Sequence, residues 1–349
     1  MATDVDKMIE FNVAYHPSPY PHAMRDDLNE IAQVCDGIYV PFTESDLHYA
    51  PRRIKACVDL AHDANLIVIA DLWGAGNLFA SPAVPSLYTL QHPDQNCVSN
   101  RGRVVPKTCP RSSSFRAYMR GLITDLIAKF EFDGLFWDEP SWSLNKYFGR
   151  LEDGEWLCCC DSCKTAFRER FNADMPTRIT PEVAQLRDES ILSLLAELCT
   201  LVKKGGEHLI TATCVTPTDS IEFKVGVART PNLDILGIDP YWRPDMDVSQ
   251  RAYIDQHTGE TVSIARANGK LVESWVNSND QLAQHERDPY RAAKLMAAHD
   301  IDQISAWAYR DYQSGGPIDK PNWGDPELVW QNLSQAYREI REGDLEIHA

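Results

Sequence analysis

Apolar residues gather in eight short runs, at 11–15, 37–42, 66–72, 134–137, 208–215, 233–238, 270–276 and 303–309, and most give way to a polar or aromatic cluster. Between them, apolar positions recur at helical spacing over 24–35, 51–64, 114–129, 191–204, 288–299 and 325–341. Continuous apolar runs predict strands buried on both faces, and the three-to-four spacing predicts amphipathic helices. Strand alternating with helix eight times predicts an α/β fold closed as a (β/α)₈ TIM barrel, here one catalytic domain over residues 1–349. An open doubly wound sheet shares the rhythm but calls for a glycine-rich phosphate loop after its first strand. This chain reads YHPSPYPH there, and its three prolines remove N–H donors from the place where a phosphate would need them.

In such a barrel the active site is built at the C-terminal ends of the strands, so those ends become a roster of candidates. They are His16, Glu44, Asp71 with Trp73, Asp138 with Glu139, Thr216, Asp239 with Tyr241 and Trp242, Glu273 with Trp275, and Trp307 with Tyr309, Arg310 and Asp311. Carboxylates and aromatics dominate. That mixture suits sugars, whose apolar faces stack on rings and whose hydroxyls need polar partners; it suits phosphoryl transfer poorly. Two long loops, 74–113 and 140–161, follow the third and fourth runs and would overhang one side of the barrel mouth. Loops of that length are uncommon unless functional.

Glycosidic cleavage commonly uses two carboxyl groups, one of which donates a proton to the leaving oxygen. Glu139 is the expected acid, since Trp137, Pro140 and Trp142 flank it and an apolar wall raises a carboxyl pKa toward neutrality. Strand alternation places it on the face of Leu135 and Trp137, opposite Phe136 and Asp138. Glu273, embedded in the apolar run KLVESWV, is the expected second carboxylate, and Asp239 in GIDPYW is its rival. Asp138, Asp239 and Tyr241 are expected to orient groups, Trp73 and Trp307 to stack on sugar rings, and Asp71, His16 and Arg310 to complete the substrate-binding set. Any single strand-end carboxylate is equally compatible with a structural ion pair.

Cys158, Cys160 and Cys163 crowd one turn ahead of a helical pattern containing Phe167 and Phe171. Three soft ligands call for a fourth in a tetrahedral zinc site, and Cys109, in the preceding long loop, is the natural candidate. A site closed by four thiolates is structural, with no position left for substrate; buried unliganded thiols are the alternative, which explains three closely spaced cysteines beside Asp161, Ser162 and Lys164 less well. Cys159 is expected to be a bystander.

Composition narrows the function classes. A formal charge of −17 disfavours nucleic acid as a partner. No segment approaches the roughly 18 apolar residues of a membrane span, and the first ten residues, MATDVDKMIE, lack a basic signal-peptide start. Ten cysteines without such a signal suit a reducing, cytoplasmic setting. No organic cofactor is called for.

The order of these features carries a resemblance. A third-loop Cys-Pro before a helix, a fourth strand closing on Glu139, and C-x-C-x-x-C running into Ala166-Phe167 resemble the family-42 β-galactosidases among the clan A glycoside hydrolases. The similarity spans about residues 65–175, and the chain also resembles a looser group of barrel glycosyl hydrolases. It implies zinc on Cys109, Cys158, Cys160 and Cys163, Glu139 as acid/base, Glu273 as nucleophile, and a retaining mechanism on a carbohydrate substrate. The chain departs from the family by placing Asp138 where the family has an asparagine for the sugar 2-hydroxyl, and by a longer spacer from Glu139 to Cys158. An adjacent Asp-Glu on a fourth strand also resembles substrate-assisted hexosaminidases, in which the Asp positions an acetamido group. A non-catalytic sugar-binding barrel is the alternative from a different class.

Overall fold

A computed structural model describes residues 8–80, 85–143, 150–310 and 323–347; Asp311, among the strand-end candidates, and parts of both long loops lie outside them. Eight parallel strands close a barrel: β1 (Glu10–Ala14), β2 (Gly37–Phe42), β3 (Ile67–Leu72), β6 (Gly134–Trp137), β7 (Ile210–Val215), β8 (Ile235–Ile238), β9 (Leu271–Asn277) and β10 (Gln303–Trp307). Each follows the last around the ring, and β10 pairs with β1 from Glu10 opposite Gln303 to Val13 opposite Ala306. Every one of the eight apolar runs is a barrel strand. An antiparallel pair, β4 (Asn96–Val98) and β5 (Val104–Thr108), lies within the long loop after β3.

The helices ring the barrel: α1 (Pro21–Ile31), α2 (Glu44–Tyr49), α3 (Pro51–Asp63), α4 (Leu87–Gln91), α5 (Ser113–Phe130), α6 (Asp161–Phe171), α7 (Pro181–Gly205), α8 (Ile221–Ala228), α9 (Gln250–Ala267), α10 (Asp288–Ala297) and α11 (Pro326–Arg341). Their starts follow local rules: α5 begins where the Ser112 side chain accepts from the Phe115 N–H, and α7 where Thr180 accepts from Val183 with Pro181 behind it. Alternate strand residues point inward, where Tyr39, Ile69, Phe136, Ile235 and Trp275 fill the barrel, while their neighbours pack against the helices in a larger outer core. None of the described helices is long and apolar enough to cross a membrane.

Candidate active site

The fourth barrel strand, β6, is short and ends at Trp137, whose buried indole faces outward against Phe79 at a ring distance of 5.7 Å. Continued alternation would send Glu139 outward as well. Instead Glu139 adopts φ 38°, in the left-handed region that a residue with a Cβ rarely visits, and the chain swings round. Asp138 and Glu139 therefore line the same cavity, which corrects the expectation that they occupy opposite faces. Two backbone hydrogen bonds hold the turn: Ala80 N–H donates to the Asp138 carbonyl at 2.6 Å, and Ser141 N–H to the Leu78 carbonyl at 3.3 Å. A left-handed non-glycine costs about 1–2 kcal/mol and persists where surrounding bonds over-determine it, which is most often at a functional site.

The cavity at the C-terminal mouth of the barrel has a volume of about 220 Å³. Its wall brings together Asp138, Glu139, Asp239 and Tyr241 with Trp73, Trp275 and Trp307, and Arg243, Asn277, Asn279 and Asp280 complete the lining. Burial and then the nearby Glu139 carboxylate push Asp138 up to about 8, although the Cys214 thiol, donating to its Oδ1 at 3.1 Å, works in the other direction. Burial and the same Glu139 raise Asp239 well above the carboxylate range. Asp71 lies fully buried and off the cavity; burial and the charge of Asp138 raise it too, and neither of its oxygens has a hydrogen-bond partner among the described residues. Carboxyls this crowded cannot all ionise at neutral pH, so protons are retained where a leaving group could take one.

Glu273 is placed differently from its expectation. It is the third residue of a seven-residue strand, fully buried, and does not line the cavity. Trp275, two residues on and on the same face, lies above it and donates its indole N–H to Glu273 Oε2 at 2.9 Å. Tyr39 donates to Oε1 at 2.7 Å, and the Ser305 hydroxyl donates to the same oxygen. Gly237 makes room, since a Cβ there would lie 3.3 Å from Glu273 Oε2 and 3.1 Å from the Cβ of Cys214. Burial pushes Glu273 up to about 7 against the opposing pull of these three donors, Ser305 first.

Other candidates are also redistributed. His16 lies behind the aromatic wall, edge-on to Trp73 at 5.5 Å and Trp307 at 5.6 Å, and burial lowers it to about 3, so its ring is neutral. Arg310 points away from the cavity to Glu30 at 2.8 Å, Glu327 at 2.9 Å and Asp27 at 3.7 Å, pinning α1 and α11 together. Its charge is engaged by three carboxylates, and it does not line the cavity. Glu44 accepts from Ser86, Tyr309 donates to Asp27 and Glu30, and Trp242 donates to the Val248 carbonyl.

The residues that sequence reasoning missed are Arg243, Asn277, Asn279, Asp280 and Cys214. Asn277 ends β9, and the segment NSND at 277–280 occupies the strand-end position from which barrel sites are built. Position along the strand was the available signal; Glu273 lies one same-face layer below the cavity-lining Trp275.

The thiols converge as their spacing predicts. Cys109 follows β5, Cys160 precedes α6 and Cys163 lies in its first turn, and the sulfurs of Cys109, Cys158, Cys160 and Cys163 all lie within 4.8 Å of one another. Two of the separations are 3.5 Å (Cys109 to Cys163) and 3.6 Å (Cys109 to Cys160). Four sulfurs at about 2.3 Å from a tetrahedral zinc would be roughly 3.8 Å apart, so the set fits a metal ion. None of the four is in a disulfide, and Cys159 turns elsewhere, packing with Trp156 and Phe167.

A scan against protein-family models and a search of curated proteins find no match. Solved structures do match. The β-galactosidase from the psychrophilic Marinomonas ef1 superposes with a TM-score of 0.70 at 11% identity, covering 95% of this chain and 60% of that one. The catalytic domain of β-amylase from Paenibacillus polymyxa gives 0.67 at 11% identity, covering 95% and 99%. The endo-1,4-β-mannanase from Rhizomucor miehei gives 0.62 at 8% identity, covering 96% and 95%. These neighbours are glycoside hydrolases, and at such identities the likeness is one of fold. The chain spans about 60% of the length of the Marinomonas enzyme.

Proposed function

We propose that this chain is a glycoside hydrolase acting on a carbohydrate, with Glu139 as general acid. The observation that carries the reading is the convergence of Asp138, Glu139 and Asp239 with three tryptophans in one cavity at the barrel mouth. Glu139 leaves its strand in a strained turn that aims it at this space, and Asp239 faces it from β8 as the second carboxylate. Hydrolysis would proceed with Glu139 delivering to the leaving oxygen the proton that the hydrogen-bonded Asp239–Glu139 pair shares, and the Asp239 carboxylate so left would stabilise or capture the oxocarbenium-like carbon. Asp138 and Tyr241 would orient the ring, and Trp73, Trp275 and Trp307 would stack on it. Glu273, named as nucleophile by the family resemblance, is here assigned the positioning of the Trp275 indole.

A second reading keeps Glu139 as acid and makes a 2-acetamido group of the substrate the nucleophile, oriented by Asp138. It is favoured by one observation: Asp138 shares the cavity with Glu139, and Glu273 does not. We further propose that the four thiols hold a structural zinc ion, which would tie the β4–β5 hairpin to the start of α6 and take no part in the chemistry.

The experiment compares wild type with Glu139→Gln on paired aryl and alkyl glycosides, with the anomer of the first product read by NMR. Loss of a general acid costs about 10²–10⁴ in turnover and costs most for the poorer alkyl leaving group. Equal turnover by the two proteins on alkyl glycosides would remove Glu139 from the mechanism. Inversion would support a water activated by Asp239, and retention either a covalent intermediate or acetamido assistance.

A further inference from the structure

We propose that a second cavity, beside the acidic turn, binds the group on the leaving side of the scissile bond, and that the substrate class is therefore a saccharide chain with a neutral sugar residue at that position. The proposal rests on the hydrolase reading above and adds to it a binding site that the catalytic cavity does not include.

Two stretches of chain pass from one cavity to the other. Asp138 and Glu139 line the catalytic cavity, and the next three residues, Pro140, Ser141 and Trp142, line the second. Cys214, near the end of β7, lines the first, and Thr218 and Asp219, in the loop that follows, line the second. The two spaces therefore adjoin across the turn that carries the proposed acid, and the charge of Glu139 is felt at Asp219. General acid catalysis needs the donor within hydrogen-bond reach of the leaving oxygen, so the group that departs with that oxygen is bound close to Glu139. The second cavity has a volume of about 370 Å³ against about 220 Å³ for the first, so it can hold a group at least as large.

The chemistry of this second cavity selects its ligand. From α7 it receives Arg187 and Asp188. The Arg187 guanidinium stacks on Trp142, with Cζ 5.4 Å from the ring centre, and Trp142 is fixed by its own N–H, which donates to the Arg187 carbonyl at 3.3 Å. The Arg187 side chain has no hydrogen-bond or ion-pair partner among the described residues; its Nε is enclosed, and the two terminal nitrogens are the donors left for a ligand. Asp188 and Asp219 supply acceptors in the same space, and burial raises both carboxyls above their ordinary value. An anion would meet these two acids and a cation would meet Arg187. A sugar hydroxyl accepts from the one and donates to the others, and bonds to charged partners are the stronger kind. The hydroxyl of Ser141 adds to the polar lining, while Trp142 and the buried Phe223 offer apolar surface to a ring face.

The test measures binding by titration calorimetry to the full chain carrying Glu139→Gln, which suppresses cleavage. Lactose, cellobiose, β-1,4-mannobiose and maltose are each paired with the methyl glycoside of their non-reducing sugar in the same anomer. In at least one pair the disaccharide should bind about tenfold more tightly or better, the size of a single hydrogen bond to a charged group. Adding Arg187→Met should bring that disaccharide down to its methyl glycoside, whose own affinity stays as it was. Asp188→Asn, which keeps the side chain's shape, should cut the preference several-fold and carries the test if circular dichroism shows Arg187→Met unfolded. Equal affinities within every pair, or a preference that survives in every folded variant, overturn the proposal. The hydrolase reading fails separately: a disaccharide held in this way but never cleaved by the wild type, with no turnover of any alkyl or aryl glycoside, removes hydrolysis and leaves the adjoining sugar sites standing. Turnover of aryl glycosides with no disaccharide preference does the reverse.

Discussion

Replacing Glu273 by Gln separates a positioning role from a nucleophilic one, and its size can be worked from the buried carboxyl. Three donors converge on Glu273, from Tyr39, Ser305 and Trp275. An amide can satisfy the same site: its oxygen accepts from the Trp275 N–H, and its NH₂ donates to the two hydroxyls, which can act as acceptors. The variant therefore folds with its network intact. What it loses is a titration. Burial raises Glu273 from an ordinary 4.5 to about 7, so the folded state binds the proton more tightly than the unfolded state does. Stability from this group is fully present below the unfolded value of 4.5 and is lost as pH rises through about 7. At 1.36 kcal/mol per pKa unit the loss is about 3 kcal/mol. Urea unfolding at a series of pH values should show the difference between wild type and Glu273→Gln flat under acid conditions. It should then shift by about 3 kcal/mol toward the variant as pH rises to about 8. Asp71 and Asp239 are also raised, but they are present in both proteins and largely cancel in the difference; Asp138, which the charge of Glu273 helps to raise, is raised less in the variant and moves the difference in the same direction. Turnover by the variant should stay within about tenfold of wild type, whereas loss of a covalent nucleophile costs about a thousandfold or more. Parallel stability curves would refute the buried titration, and a thousandfold loss of turnover would return Glu273 to the nucleophile's role.

Purified protein should contain close to one equivalent of zinc, and its removal by a strong chelator should lower Tm markedly, with calorimetry as the check; less than about half an equivalent counts against a four-thiolate site. Arg310→Met should cost about 1 kcal/mol of stability, because its three ion pairs are half exposed, and leave KM unchanged; a raised KM at unchanged Tm would restore Arg310 to substrate binding. Lys107→Met should lower kcat several-fold with zinc content intact, because the buried Lys107 ammonium donates to the Asn77 carbonyl at 2.6 Å and steadies the loop that holds Asp138. Unchanged kcat in that variant would show that the loop needs no such support.

The barrel was legible because parallel strands buried on both faces are nearly continuous apolar runs, and all eight survive as written. Helices with a broad aliphatic stripe were legible for the same reason, whereas α9 was not. Its buried face is Ile254, Thr258, Thr261 and Ala265, too polar to register as an apolar period. The β4–β5 hairpin was missed because its strands are only three and five residues long, too short for an apolar alternation to register. In the site, residue type was a better guide than layer. Asp138, Glu139, Asp239 and Tyr241 meet at the cavity, but the depth of Glu273 depends on where β9 ends, and strand ends are the least certain feature of a sequence. The left-handed turn at Glu139 left no sequence mark, because non-glycine strain of this kind is imposed by the surroundings.

Those surroundings connect the two features that dominate the sequence. The loop from Gly74 to Ala80 is tied at one end to the acidic turn, through the Ala80 N–H on the Asp138 carbonyl and the Leu78 carbonyl on the Ser141 N–H. At the other end it is tied to β5, where the Asn77 side chain donates to the Pro106 carbonyl and Lys107 donates to the Asn77 carbonyl. Two residues beyond Lys107, β5 gives way to Cys109, the thiol that anchors the triplet from the following loop. A metal held by the thiol cluster would therefore brace, through one hairpin and one loop, the backbone that carries Glu139 into the cavity. A left-handed glutamate needs such over-determination, and ordering a long loop costs conformational entropy that cross-linking by a metal would offset. On this view the metal's contribution to activity is mechanical. Its loss should appear first as a less rigid Asp138–Glu139 turn, with the barrel behind it unchanged.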